Sequence, residues 1–386
     1  MSDGSSINTT FTADSQEVPQ SSIGASARKV HVMFVLGSSE IGGAERNIIH
    51  LIENSNRNKM TFACLLLAGY GPFVDECEKH GIKVIHSVNW ISWAGLEFLR
   101  KLQYEVDVLS LYGLRVNAFF RLVRIFIKMP ILLCNITSVS WGKKILPVLM
   151  EWMTCSAIDH YVANAELCKT IFSKRVRVDP SKISVIYSGM SSRFSAYKLR
   201  NHDENFVIAS VSNIRPMKGH KNIIDAIETI RESIPNVLFQ FIGRDDMGGK
   251  IQQYAREKGA DDCIDFLGFQ KDIFNYLLEA HVFLLASDWE GLSTAVKEAM
   301  ATGIPVIATH VGAIEELVTN EHDGLLIRPG QPGDIAESII RLHNDPDLRN
   351  RLVNQGLLTI QSRFSPQDTA KQWEHTYLSL LEKCNQ

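Results

Sequence analysis

The chain has 386 residues, 45% of them hydrophobic and 22% charged, with a formal net charge of -3. That length exceeds one ordinary hydrophobic core and points to two domains. The faint acidity gives no ground for a nucleic-acid partner. The seven cysteines (64, 77, 134, 155, 168, 263 and 384) are scattered without a C-x-x-C pair. Such spacing builds neither a disulfide framework nor a zinc site and fits a reducing, cytoplasmic setting.

Residues 1 to about 27 are rich in Ser, Thr, Gln and Asp and read as a disordered tail, without the apolar run of a signal peptide. From there on, short β-branched runs alternate with amphipathic helical patterns. Strands are expected at 29–36, 61–67, 83–86, 106–111, 131–135, 160–163 and 183–187, then at 207–212, 237–242, 264–267, 282–286, 306–309 and 325–327. Helices are expected between them, among others at 44–53, 222–233, 273–280 and 335–344. This alternation implies βαβ units and an α/β fold of two successive doubly wound sheets. The polar stretch 191–205 marks the boundary between an N-terminal domain at 28–190 and a C-terminal domain at 206–364. A last helix, within 365–386, carries Ala370, Trp373, Tyr377, Leu380 and Leu381. No run of 18 uncharged apolar residues occurs; the nearest, 119–133, is broken by Arg121, Arg124 and Lys128.

Four segments carry chemistry. Gly42 and Gly43 follow the first strand and open a helix, so backbone N–H groups can face an anion there. The loop has neither the Lys-Ser/Thr of a Walker A motif nor a G-x-G-x-x-G fingerprint, which argues against a nicotinamide-dependent oxidoreductase. Asn213 to His220 places Arg215 and Lys218 in a strand-end loop, where cations can neutralise a diphosphate. Glu290 and Gly291 precede a helix that carries Glu298, and Gly303 and Pro305 close it. Carboxylates beside free helix N–H groups suit a polyhydroxylated ligand that bears phosphates. Finally, Arg115, Arg121, Arg124 and Lys128 lie among Phe119, Phe120, Ile125 and Phe126, with Trp141 to Lys144 following. The 115–144 region reads either as a basic, aromatic face for an anionic membrane or as a buried helix with arginines on its outer side.

The stretch from Ser287 to Ile307 resembles the E-x7-E signature of the retaining glycosyltransferases of family 4, which have the GT-B architecture. Leu36 to Arg46 is similar to that family's Gly-rich loop, and Val211 to Ala226 to its Lys-Gly loop and helix. His310 to Glu316 and Asp323 to Ile327 match later landmarks. The resemblance implies two Rossmann-like domains facing across a cleft, with a final helix crossing back to the N-domain. It gives Lys218 to the diphosphate, Glu298 to the ribose and Glu290 to the donor sugar. Gly291, Leu292 and Ser293 would offer N–H groups to sugar or phosphate, and Gly42 and Gly43 would meet phosphate or acceptor. Gly243, Arg244 and Phe269 would line the nucleotide, though plain core packing serves Phe269 equally well. The family's partner Arg stands where this chain has Asn213, so Arg215 is the substitute. The N-domain departs from the pattern at Tyr112, at Asn135, where His is common, and at Ser188.

The resulting expectation is a cytoplasmic hexosyltransferase, either free or peripheral at the inner membrane face. It would move sugar from a nucleoside-diphosphate donor, UDP-sugar favoured, to a saccharide or lipid-linked acceptor. No cofactor is expected, and no metal, Asp245 and Asp246 reading as solvated loop carboxylates. A UDP-sugar epimerase of GT-B type and a non-catalytic glycosyltransferase-like partner protein stay as alternatives.

Overall fold

A computed structural model describes residues 28–86, 93–137, 145–190 and 205–385. The expected tail, nearly all of the 191–205 boundary and the Trp141 to Lys144 stretch lie outside the described residues.

The N-terminal half alternates β1 (Val30–Leu36), α1 (Gly43–Asn54), β2 (Met60–Leu66), α2 (Pro72–Lys79), β3 (Lys83–Ile85), α3 (Trp93–Glu105), β4 (Val108–Tyr112), α4 (Leu114–Phe126), β5 (Ile131–Ile136), α5 (Ile145–Thr154), β6 (His160–Ala163), α6 (Glu166–Val176) and β7 (Ile183–Val185). The second half runs β8 (Phe206–Val211), α7 (His220–Ser233), β9 (Val237–Ile242), α8 (Lys250–Glu257), β10 (Ile264–Gly268), α9 (Phe274–Glu279), β11 (Val282–Leu285), α10 (Thr294–Ala301), β12 (Val306–Thr309), β13 (Leu325–Ile327), α11 (Pro332–Asn344), α12 (Pro346–Arg363) and α13 (Pro366–Asn385). All thirteen expected strands are present, with ends shifted by a residue or two.

Both sheets are wholly parallel. The first has the order β3-β2-β1-β4-β5-β6-β7 and the second β10-β9-β8-β11-β12-β13. Strands β5, β11 and β12 are buried along their whole length, as apolar runs covered on both faces must be. The strand order reverses between β1 and β4 in one sheet and between β8 and β11 in the other. Doubly wound sheets bind ligands outside the carboxyl ends of the strands at such points. The loops after β1, β8 and β11 are those that carry Gly42, Lys218 and Glu290.

Helix α13 packs on the N-terminal domain: Ala370, Trp373, Tyr377 and Leu380 share a core with Phe34, Ile48 and Phe62. Polar ties also cross between the halves. Glu316 accepts from the N–H groups of Glu166 and Leu167 at the start of α6, at 2.8 and 2.7 Å, and from the Tyr187 hydroxyl at 2.8 Å. Lys297 Nζ donates to the Ser188 carbonyl at 2.7 Å and to its hydroxyl at 2.5 Å. The Met190 N–H donates to the Phe364 carbonyl at 2.8 Å.

Within residues 115–137 the arginines are not all on the outer side of α4, as the buried-helix reading has them. Arg121 lies on the inner face of α4, 1% exposed, and pairs with the equally buried Glu151 of α5. Its guanidinium also stacks over the Tyr161 ring at 5.9 Å. Arg124 is tied to Asp159. The outer side of α4 is instead apolar, with Leu122, Ile125 and Phe126 exposed. A buried guanidinium is tolerated because a carboxylate neutralises it, and that carboxylate comes from the next helix.

Candidate active site in the interdomain cleft

The Lys218 loop is held against the second sheet by Gly219. Its φ is +69°, and a Cβ there would lie 1.9 Å from the Ala286 carbonyl oxygen. Only glycine allows that approach. Lys218 then reaches Glu290, Nζ to Oε1 at 2.5 Å, and the Ser287 hydroxyl donates to the same oxygen at 2.7 Å. Both side chains are half-buried or deeper, so each charge neutralises the other inside the cleft. Gly312, with φ of +59°, packs its α-carbon against the Glu290 carbonyl, where a Cβ would meet the oxygen at 1.7 Å. The Glu290 backbone is thereby fixed from behind.

Helix α10 starts at Ser293, whose hydroxyl accepts from the Val296 N–H at 3.4 Å. Leu292 is largely buried and lines the smaller cavity. Gly291 lies against the N-domain: a Cβ on it would come within 3.3 Å of the Thr137 carbonyl. Gly43, in the first turn of α1, faces Thr294, in the first turn of α10, with its virtual Cβ 3.4 Å from the hydroxyl. Two helix N-termini, one from each domain, therefore converge on one cavity of about 260 Å³. Each brings a partial positive charge and unpaired N–H groups, which makes the gap attractive to an anion. Gly42 itself is less available, because its N–H donates to the Glu45 carboxylate at 3.0 Å.

Glu298, 3% exposed on α10, faces Arg46 of α1 across the cleft at 3.4 Å. Arg46, Glu298 and Phe269 share a second cavity of about 510 Å³ with His50, His80 and Lys271. Phe269 is 57% exposed there, which removes the core-packing role expected as one option. Arg215 does not stand free beside Lys218. Its Nε donates to Asp246 at 2.6 Å, and Arg244 donates to the other oxygen of the same carboxylate at 2.6 Å. The two arginines hold the Asp246 carboxyl down at about 2. Asn213 accepts from the Arg244 N–H at 3.0 Å and braces the end of β9, where Gly243 turns the chain. Asp245 accepts from the Met247 and Gly249 N–H groups at 2.8 and 2.7 Å. Adjacent Asp245 and Asp246 thus lie at the loop surface, as expected, where they also serve a turn and two arginines.

Tyr112, Asn135 and Ser188, the three departures in the N-domain, are brought together around the smaller cavity. The Asn135 amide donates to the Ser110 hydroxyl at 2.9 Å and to the Leu111 carbonyl at 3.2 Å. Sequence reasoning missed Asn47 and Asn164, which line the same cavity with buried side-chain oxygens that have no partner. Such oxygens call for donors from a ligand or water. It also missed Arg46 and Lys297. Burial pushes the Lys297 ammonium down to about 7. Its signal was legible: a lysine inside the otherwise apolar run Ala295 to Ala301, next to Glu298.

Residues 192–358 match the family of group 1 glycosyl transferases. The UDP-Gal:alpha-D-GlcNAc-diphosphoundecaprenol alpha-1,3-galactosyltransferase of Escherichia coli is 30% identical over 206 residues, which are 48% of this chain and 53% of that protein. An uncharacterized glycosyltransferase of Haemophilus influenzae is 21% identical over 84% of this chain and 93% of its own length. The chain spans about half the length of the Escherichia coli relative and of the similar Bacillus subtilis EpsD. In three dimensions, Anabaena Alr3699/HepE in complex with UDP superposes with a TM-score of 0.80 at 21% identity, over 91% of this chain and 100% of that one. The two parallel sheets and this likeness give the chain the GT-B fold. The family match includes Lys218, Glu290 and Glu298 and leaves the N-domain outside, which is where the familiar pattern fades.

Proposed function

We propose that the protein is a retaining glycosyltransferase of the family 4 kind. It would move a hexosyl group from a nucleoside-diphosphate sugar, UDP-sugar favoured, to a hydroxyl of a lipid-linked or polysaccharide acceptor, without a metal. The observation that carries this reading is the meeting of the α1 and α10 N-termini beside the Lys218–Glu290 pair. A diphosphate in that gap gains two helix ends and one ammonium, all aimed where negative charge grows as the leaving group departs. Glu298 would then accept from ribose hydroxyls, with the base in the larger cavity against Phe269. UDP in the Anabaena structure and UDP-Gal in the name of the Escherichia coli relative support a uridine donor. The latter's diphosphoundecaprenol acceptor, and a Rhizobium meliloti lipopolysaccharide core relative, support acceptors tied to lipid.

In the reaction the bond from the anomeric carbon to the diphosphate oxygen breaks and one to the acceptor oxygen forms. The departing phosphate takes the acceptor proton. Asn47, Asn135, Asn164 and Ser188, on the N-domain side of the smaller cavity, would offer hydrogen bonds to the acceptor sugar brought up to the diphosphate. Lys297 and Glu316, which tie the halves, would hold the cleft narrow enough to limit attack by water.

The test is a melting experiment with UDP, GDP and ADP, followed by transfer from labelled UDP-hexoses to polyprenyl-diphosphate sugars. A ligand at ~100 times its dissociation constant adds roughly 2.7 kcal/mol. We expect UDP to raise the melting temperature by several degrees in the wild type and by far less in Glu298→Ala and Lys218→Ala. If no nucleoside diphosphate stabilises the wild type, or if both variants transfer at the wild-type rate, the reading is wrong.

A further inference from the structure

The outer faces of α4 and α5 hold most of the chain's displayed apolar bulk. More than half of the large hydrophobic side chains exposed among the described residues lie on these two adjacent helices. Phe126 is 85% exposed and Ile145 86%, with Ile125, Leu146, Trp152 and Met153 beside them. Soluble surfaces seldom leave such side chains contiguous, and contiguity marks an interaction site.

Charge indicates the partner. The segment 114–158 contains one acid, Glu151, and six bases. That single acid is turned inward and cancelled by Arg121, so neither helix exposes a carboxylate. Arg115 and Lys128 stay exposed at the fringe. We propose that this two-helix face docks on a lipid bilayer that contains anionic lipid, its apolar side chains entering the interface and the fringe cations meeting headgroups. An apolar face with an aromatic anchor and peripheral cations, and no exposed acid, is what interfacial binding demands. A second copy of the chain is the poorer occupant. A two-fold contact would bring the same cation-fringed face against itself. None of the described helices is long and apolar enough to cross a membrane, so docking here is lateral.

The Arg121–Glu151 pair gives the face its character. It locks α5 to α4 from within, so the outer side chains need contribute nothing to the fold. The surface rests on these helices alone and not on the proposed transfer chemistry. It would serve that chemistry, since α4 begins two residues after Tyr112, which lines the cleft. A lipid-linked acceptor held in the same bilayer would then present its sugar near the cavity.

Flotation of the full chain with phosphatidylcholine vesicles, with and without phosphatidylglycerol, tests the proposal. The wild type should float with the mixed vesicles and less with the neutral ones. Phe126→Glu with Ile145→Glu should lower partitioning by about tenfold or more on both. Arg115→Glu with Lys128→Glu should lower it on the mixed vesicles only. All variants should keep the wild-type melting temperature and its response to UDP, because every altered side chain is exposed. The proposal is overturned if the wild type stays unbound at low salt, or if neither double variant changes partitioning. It is also overturned if light scattering finds a dimer that Phe126→Glu converts to monomer, since the face would then belong to a second copy.

Discussion

Arg46→Met should tighten UDP binding, although it removes a cation from a site for an anion. The guanidinium lies 3.4 Å from the Glu298 carboxylate, longer than the 2.7–2.9 Å of a strong charge-assisted hydrogen bond. Glu298 is almost fully buried, and Arg46 keeps 28% of its side chain exposed. Exposed pairs contribute about 0–1 kcal/mol, and breaking a buried one costs about 3–5 kcal/mol. The long contact and the exposed partner put this pair near the lower range, at about 1 kcal/mol. A ribose that uses Glu298 must first displace Arg46, so that energy opposes donor binding. Its loss corresponds to a roughly fivefold lower dissociation constant. Methionine keeps the apolar stem that packs along α1. Calorimetric titration of UDP into wild type, Arg46→Met, Glu298→Gln and the double variant reads the effect. The gain should vanish in the Glu298→Gln background, since nothing remains for Arg46 to mask. If Arg46→Met instead weakens UDP by tenfold or more, the arginine holds the nucleotide and does not compete with it.

Three further outcomes follow from the geometry. Gly312→Ala combines a left-handed backbone with a Cβ 1.7 Å from the Glu290 carbonyl, so it should cost on the order of 2–4 kcal/mol and shift Glu290, read as a lower melting temperature and lost transfer. Burial, helped by Lys218, holds the His220 imidazole down at about 4 from an ordinary 6.5. The unfolded chain therefore binds this proton first, and stability is full above pH 6.5 and falls as pH drops towards 4, by up to about 3 kcal/mol; His220→Gln should flatten that slope in urea melts, leaving the part due to His160, whose ring is held down in the same direction. Arg121→Met or Glu151→Leu alone should destabilise by about 3–5 kcal/mol, and the double variant should regain most of it, because the cost is the abandoned buried charge rather than the pair.

The parallel sheets were legible because period and composition are local. Runs such as Val282–Leu285 and Val306–Thr309, punctuated by glycine and proline, announce buried parallel strands. The placement of Lys218, Glu290 and Glu298 was legible for a similar reason: they stand in strand-end loops and one helix start with a recognisable frame. What escaped lies between distant segments. Arg46 meets Glu298 across 252 positions, and Glu316 reaches α6 across 150. Arg121 looked like a surface cation because its partner, Glu151, lies on another helix. Arg215 stands in for the family's partner Arg by its place two residues after Asn213, whereas in space it is paired with Asp246. The smaller cavity is assembled from α1, β4, β5, the Ser188 turn, the start of α10 and α13, so no contiguous motif could have disclosed it.

The cleft shares one electrostatic plan. Lys218 is matched by Glu290, Arg46 by Glu298, and Arg215 and Arg244 by Asp246. Each of these charges is neutralised by its partner, which offsets the desolvation penalty that an isolated lysine or glutamate would carry. On the proposed reading, the donor must then exchange partners in pairs. Its diphosphate takes Lys218, which frees Glu290 for the sugar, and its ribose takes Glu298, which frees Arg46. A ligand with only one half of the donor leaves a half-buried carboxylate or ammonium alone in the cleft. Inorganic diphosphate takes the ammonium but strands Glu290, and free hexose takes the carboxylate but strands Lys218. The intact donor should therefore bind better than the sum of its fragments suggests. The Glu290 carboxylate is likewise released beside the sugar only once the diphosphate is seated, which orders the charge before the bond to the leaving group is strained.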